Sequence, residues 1–264
     1  MKKIKLSKFH KDFNLMLRLV MSLILLATFP SLASSQDHYQ RDSYISEQVT
    51  VSDEIGTELS LQKLIADSGA ELSVVFIFGG GALGHERAKK SGGLWCPDSY
   101  EDMHILRSLH NYYDDRVAII PIAVPPVYHS ELLGYKKGVF FTGNATPEYQ
   151  KALRSFVDST QSSFQQGTIP VQPFYDNGFN LLISQQQSSL RDKLIPAKIW
   201  HGAFRAENEQ QHYGVPNLWL VDANGKVVAD PFRGNVYRSH GDGITINYTL
   251  KKVIEVIDAK LQKL

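Results

Sequence analysis

The run Val74-Val75-Phe76-Ile77-Phe78 most constrains what this chain can fold into. Five consecutive apolar residues with no polar alternation describe a strand covered on both faces, as in a parallel sheet. The run closes on Gly79, Gly80 and Gly81. A helical pattern then extends from Tyr100 to about Tyr113, with Met103, Leu106, Leu109 and Tyr113 at spacings of three and four. A second apolar run follows, Val117-Ala118-Ile119-Ile120-Pro121-Ile122-Ala123-Val124. Two buried strands around one helix predict a parallel βαβ unit, and hence an α/β fold. Pro121 lacks an N–H, so the second strand is expected to end or bulge there.

Between the first strand and the helix stands Leu94-Trp95-Cys96-Pro97-Asp98-Ser99, with the single cysteine of the chain. This order puts Cys96 at or beside a helix N-terminus, where unpaired N–H groups and the helix dipole favour a thiolate and lower its pKa. Pro97 suits the first helical turn because its missing N–H is not needed there. A lone free cysteine is more ordinarily a small buried hydrophobe. The flanking tryptophan, the proline and the helix start favour a functional position instead. Asp98 suits the first turn by its charge, and beside a thiolate it would raise the pKa.

The N-terminus reads as an address. Lys2, Lys3, Lys5, Lys8 and Lys11 precede an apolar stretch from Leu19 to Phe29, and Ser31-Leu32-Ala33 gives a small-x-small cleavage pattern. Residues 1–33 are read as a signal peptide cut before Ser34, because the apolar stretch is shorter than the ~20 residues of a membrane span. The expected location is periplasmic or secreted. Cleavage removes six basic residues and one acidic one, so the formal charge of +1 becomes −4 on a mature chain of 231 residues. That balance gives no electrostatic case for nucleic acid or anionic lipid. One cysteine forms no internal disulfide, so stability must come from the core.

Residues 34–45 read as an exposed leader. Gln48 to Val51 alternates as a short strand, Leu59 to Ile65 reads as a short helix, and Pro147 to Phe156 as another. Thr168 to Asp176 is extended, Asn177-Gly178 is a turn, and Phe179 to Leu190 is read as a helix. Near the C-terminus, Val215 to Val221 is a strand turned by Asp222-Ala223-Asn224-Gly225, with Lys226 to Asp230 returning antiparallel. A last amphipathic helix carries Leu250, Val253, Ile254, Ile257 and Leu261 on one face, with Thr249 as its N-cap.

This order of elements, with Trp95-Cys96-Pro97 at a helix start and Gly214-Val215-Pro216 leading into a hairpin and final helix, resembles the thioredoxin-like superfamily. The N-terminal strand and the Asp222-to-Lys226 turn are similar to its redoxin branch. The resemblance spans about 46–124 and 168–264, within one domain over 46–264 that has insertions at about 125–167 and 190–212. It implies a central mixed sheet flanked by helices, with the insertions before a cis-proline hairpin. It also implies a cis bond at Pro216 beside Cys96, with the Val215 backbone pairing to a substrate strand, and Cys96 in the place of the attacking cysteine of a Cys-x-x-Cys motif.

The second cysteine of that motif is replaced by Ser99, which cannot release a mixed disulfide as a second thiolate would. Monothiol chemistry remains, with an external thiol resolving the adduct. The peroxidase pattern of the peroxiredoxins is missing: the positions that should hold its Thr/Ser and Pro are Gly93 and Lys89. Nine histidines raise a metal site, with His85 or His201 beside Cys96. His104 and His110 are six apart, the wrong spacing for one helix face, and no second cysteine is available, so no metal and no cofactor is expected. The expected function is an exported thiol oxidoreductase with Cys96 as nucleophile, supported by Trp95, Pro97, Asp98 and Ser99, with Val215 and Pro216 holding the substrate. Its partner would be a thiol- or disulfide-bearing protein or a small thiol, and a Cys96-linked dimer is open to it. The alternative is a non-catalytic module gripping an extended peptide in the same cleft.

Overall fold

In the computed structural model, residues 41–47, 49–81, 91–124, 147–176, 215–233 and 249–263 are described. The signal segment, the expected helix at 179–190, His85 and His201 lie outside them. In chain order the elements are β1 (Thr50–Ser52), β2 (Glu58–Ser60), α1 (Leu61–Asp67), β3 (Leu72–Gly79), α2 (Pro97–Tyr113), β4 (Val117–Val124), α3 (Pro147–Gln166), β5 (Phe174–Tyr175), β6 (Asn217–Asp222), β7 (Phe232–Arg233) and α4 (Leu250–Leu261). The strands form one mixed sheet in the order β2-β1-β5-β4-β3-β6-β7.

The centre is the predicted βαβ unit. β3 and β4 run parallel over eight residues, from Leu72 opposite Val117 to Gly79 opposite Val124. Both faces of β3 are sealed. Val74, Phe76 and Phe78 point into a core shared with Met103, Leu106 and Leu109 of α2, Phe156 of α3 and Val253 and Ile257 of α4. Val75 and Ile77 point the other way, onto Leu61 and Ile65 of α1 and Trp219 of β6. Burying side chains of this size stabilises the fold by about 1.5–3 kcal/mol each, which is why the run shows no alternation.

Pro121 neither ends nor bulges β4; it stays in register opposite Phe76. Successive residues of a strand direct their main-chain groups to opposite sides. The Val124 carbonyl accepts from Gly80 on the β3 side, and the Ala123 carbonyl accepts from Asp176 on the β5 side. Pro121 therefore turns its missing N–H toward β5, which pairs with β4 only from Ile122 and Ala123 onward. The central ladder loses nothing.

Other boundaries move for local reasons. Leu59 and Ser60 pair with β1, and Ser60 then caps α1, its hydroxyl accepting from the Lys63 N–H. α3 runs ten residues past Phe156, to Gln166. The hairpin after β6 returns as predicted at Val227, which bridges Val221. Regular pairing resumes only at Phe232, opposite Leu218. Two more residues thus lie on the returning side between those pairs, where Pro231 has no N–H to give. The stretch read as an exposed leader is exposed only in part. The N–H groups of Asp42 and Ile45 donate to the carbonyls of Val227 and Gly225, and Ser43 and Ile45 are buried while Tyr44 between them faces solvent. The burial of Ser43 and Ile45 comes from main-chain bonds to a distant segment, which the polar composition of the stretch does not show.

Candidate functional site

The carboxyl ends of β3 and β4 meet the start of α2. Cys96 is the N-cap of that helix, in extended conformation, and Pro97 is its first residue. The loop before it is fixed by main-chain pairing: the Trp95 N–H donates to the Gly80 carbonyl at 2.9 Å, and Gly81 bridges Leu94. The Trp95 indole Nε1 donates to the Val124 carbonyl, also at 2.9 Å. One side chain thus ties the loop to the last residue of β4.

The glycines closing β3 permit this approach. A Cβ on Gly79 would stand 2.6 Å from the Cys96 Cβ and 2.8 Å from the Trp95 ring. A Cβ on Gly80 would meet the Phe156 ring at 2.3 Å. Gly81 donates its N–H to Thr160 Oγ1 on α3 at 2.6 Å. The sequence marks these three residues as a loop signal; their role as close-contact positions under the cysteine and against α3 is a finding of the structure. Gly79, Val124 and Gly80 are supporting residues that sequence reasoning missed. Three successive glycines after a buried strand were the available signal.

Cys96 is half-buried. Its sulfur lies 3.8 Å from the Val215 carbonyl oxygen, in the range of a weak thiol hydrogen bond. The Val215–Pro216 peptide bond is cis, and β6 begins at the next residue, Asn217. The fold therefore brings together Cys96 and Val215, two of the residues singled out in the sequence. Ser99, fully buried, accepts the Gly79 N–H on its Oγ at 2.9 Å. This hydroxyl ties the first turn of α2 to the end of β3.

The expected lowering of the thiol pKa does not hold. Burial first, with a smaller push from the charge of Asp98, raises the Cys96 thiol to about 11. The polar groups of Ser99 and the Asp98 backbone in the first turn of the helix pull the other way and are outweighed. A carbonyl facing the sulfur also favours the protonated form. The helix start supplies donors, but desolvation wins. Since Cys96 retains some solvent exposure, this preference for the thiol is weaker than a sealed site would impose. Among the described residues, no group of three or more His, Cys, Asp or Glu side chains is arranged to hold a metal ion. No helix among them is long and apolar enough to cross a membrane.

No family model matches the chain, and no curated protein does. Similar solved structures include a hypothetical protein of Sinorhizobium meliloti, 12% identical, covering 85% of this chain and 84% of that one at a TM-score of 0.41. A yeast mitochondrial 1-Cys peroxiredoxin is 12% identical over 85% of this chain and 76% of its own, with a TM-score of 0.41. A thiol-disulfide oxidoreductase of Bacteroides fragilis is 13% identical over 82% and 99%, with a TM-score of 0.35. Identities and TM-scores this low transfer no activity. The α/β class, with one mixed sheet flanked by helices, is read from the chain's own topology.

Proposed function

We propose that the chain is an exported, thioredoxin-like thiol oxidoreductase that works through Cys96 alone, in the periplasm or outside the cell. The observation that supports this most is the half-buried sulfur at a helix start, 3.8 Å from the Val215 carbonyl. A thiol in that place faces main chain just ahead of β6, a setting in which an extended peptide or small disulfide can be held against it. In the proposed cycle the Cys96 thiolate attacks one sulfur of a substrate disulfide. A Cys96 mixed disulfide forms, the other substrate sulfur leaves as a thiolate, and an external thiol then releases the adduct and regenerates Cys96. Trp95 and Pro97 fix the loop, and Val215 and Pro216 line the place where the substrate lies. A disulfide-linked dimer through Cys96 forms when the thiolate of a second copy attacks the Cys96 sulfur of the mixed disulfide and the substrate sulfur leaves as a thiolate.

The test is adduct formation. Incubated with oxidised glutathione at about pH 10, where about a tenth of a thiol titrating near 11 is ionised, the intact chain should take up one small-thiol adduct, on Cys96, that excess thiol removes. A chain that stays unmodified sinks the redox reading. One observation favours the second reading, a non-catalytic peptide-binding module: the raised thiol pKa keeps Cys96 protonated near neutrality. Under that reading Cys96→Ser retains peptide binding undiminished, and no adduct forms.

A further inference from the structure

The segment at 42–45 lies on the turn after β6 as a bound strand would. The N–H groups of Asp42 and Ile45 donate to the carbonyls of Val227 and Gly225, and the Val227 N–H donates to the Ser43 carbonyl, each at 2.8 Å. Tyr44 stands opposite Lys226 as an antiparallel pair. Two of those bonds flank it on either side, which makes it a non-hydrogen-bonded pair with close side chains. Side chains add selectivity to the main-chain pairing. The Asp42 carboxylate meets the Lys226 ammonium at 2.8 Å. Ile45, 2% exposed, joins the apolar cluster of Leu61, Ile65, Val221 and Val227. The receiving surface thus offers three main-chain groups, one cation and one apolar socket, matched to an extended Asp-x-x-Ile stretch.

We propose that Gly225–Val227 is a strand-acceptor site, and that segment 42–45 of a second copy of this chain can take the place of the chain's own, giving a two-fold exchanged dimer. Every contact of the seated segment re-forms in the partner copy, so the hinge decides the equilibrium. That hinge is a turn closed from the Val49 N–H to the Ser46 carbonyl at 3.1 Å. It lets the segment swing away while β1 keeps its pairing with β2 and β5. Two features ease departure. Asp42 is held at a φ of 72°, a left-handed conformation that relaxes on release. The Asp42–Lys226 pair is largely exposed, and salt screens it. Departure strips the Val227 N–H and the Gly225 and Val227 carbonyls of these partners, and an open strand edge of this kind recruits another strand. Cys96 takes no part, so the exchange stands apart from the redox reading.

The experiment puts a thiol on each side of the Tyr44–Lys226 pair. In the double variant Tyr44→Cys/Lys226→Cys, oxidation should link the two positions within one chain, because such pairs hold their Cα atoms about 4.5 Å apart. Failure of that link overturns the seating itself. Full-length Tyr44→Cys chains and full-length Lys226→Cys chains are then mixed in about 0.5 M salt and oxidised after increasing times. Peptide masses after digestion should show position 44 of one chain joined to position 226 of the other. The yield should grow with mixing time, and the product should run at twice the monomer mass. Links through Cys96, the parent's sole thiol, give different peptide masses. Adding Ile45→Ser to the Tyr44→Cys chain removes the apolar anchor and should cut the yield by about tenfold. A yield that survives this change marks random collision of exposed thiols and overturns the exchange. So does the absence of any link between chains when the double variant closes.

Discussion

The Trp95 indole and the Val124 carbonyl are joined at 2.9 Å across the top of the sheet. This bond crosses from the loop that presents Cys96 to the end of β4, and it holds that loop independently of the contact with Val215. Trp95→Phe keeps an aromatic ring and removes the donor, leaving the Val124 carbonyl with the Gly80 N–H alone. Because that acceptor stays satisfied, the expected cost is only about 0.5–1.5 kcal/mol, read as a lower urea midpoint with an unchanged slope.

Gly79→Ala tests the close approach. The added methyl would meet the Cys96 Cβ at 2.6 Å and the Trp95 ring at 2.8 Å. Overpacking of this kind costs about 1–3 kcal/mol. Because the clash is with the cysteine itself, the alkylation rate of Cys96 should change together with stability. A variant as stable as the parent, with the same rate, would show that the loop yields freely.

Ser99→Cys asks whether serine alone separates this site from a dithiol site. Ser99 follows the N-cap Cys96 by three residues in the first turn of α2, a spacing that brings side chains together, so mild oxidation of the variant should close a disulfide between Cys96 and the introduced thiol. Thiol titration would then find no free thiol in the oxidised variant, against one in the parent. Two persistent thiols would mean that the two positions do not meet the geometry of the bond.

The raised thiol pKa has a signed consequence for stability. A thiol ionises more easily in the unfolded chain, near its ordinary 9.0, than in the folded chain, at about 11. Its contribution is therefore complete below the unfolded value and is lost as pH climbs through that interval. Between about pH 8 and pH 10.5, the urea midpoint should fall further for the parent than for Cys96→Ala. Equal falls would place the sulfur in a water-like setting.

At the acid end the pair Lys226–Asp42, 2.8 Å apart, acts on the segment at 41–45. Lys226 lowers the Asp42 carboxyl pKa, first by hydrogen bond and then by charge. Its contribution is present above the unfolded carboxylate value of 3.8 and is lost as pH falls through the lower folded value. Asp42 is exposed and Lys226 partly so, so the effect is small and screened by salt. Limited proteolysis between about pH 5 and pH 2.5 should show this segment held in the parent at the upper end and released as acid is added, whereas Lys226→Ala should show the raised release already at the upper end.

The central strands, the crossover helix and the last helix were legible because each is sealed or half-sealed by a regular pattern. Val74 to Phe78 reads as a strand from burial alone, and Leu250 to Leu261 reads as a helix from its spacing. The cysteine's place at the start of α2 was legible from Pro97 and from the helical pattern that follows. Its protonation was not. Local sequence shows the helix dipole, but the burial that outweighs it comes from parts of the chain far from Cys96. The pairing of Ser43 and Ile45 with the Gly225–Val227 segment was invisible for a similar reason, since its partner lies near the other end of the chain. Pro121 misled because the direction of its missing N–H depends on a neighbouring strand of only two residues.

The thiol and the carbonyl facing it are separated by 119 positions in the chain. During synthesis, Cys96 therefore emerges long before the segment that will sit opposite it. Until that late segment docks, the sulfur has an open flank toward any oxidant or foreign thiol it meets. Fragments ending before Val215 would expose a bare cysteine that the finished molecule half conceals, so how fast the C-terminal part arrives sets how long the protein travels unguarded.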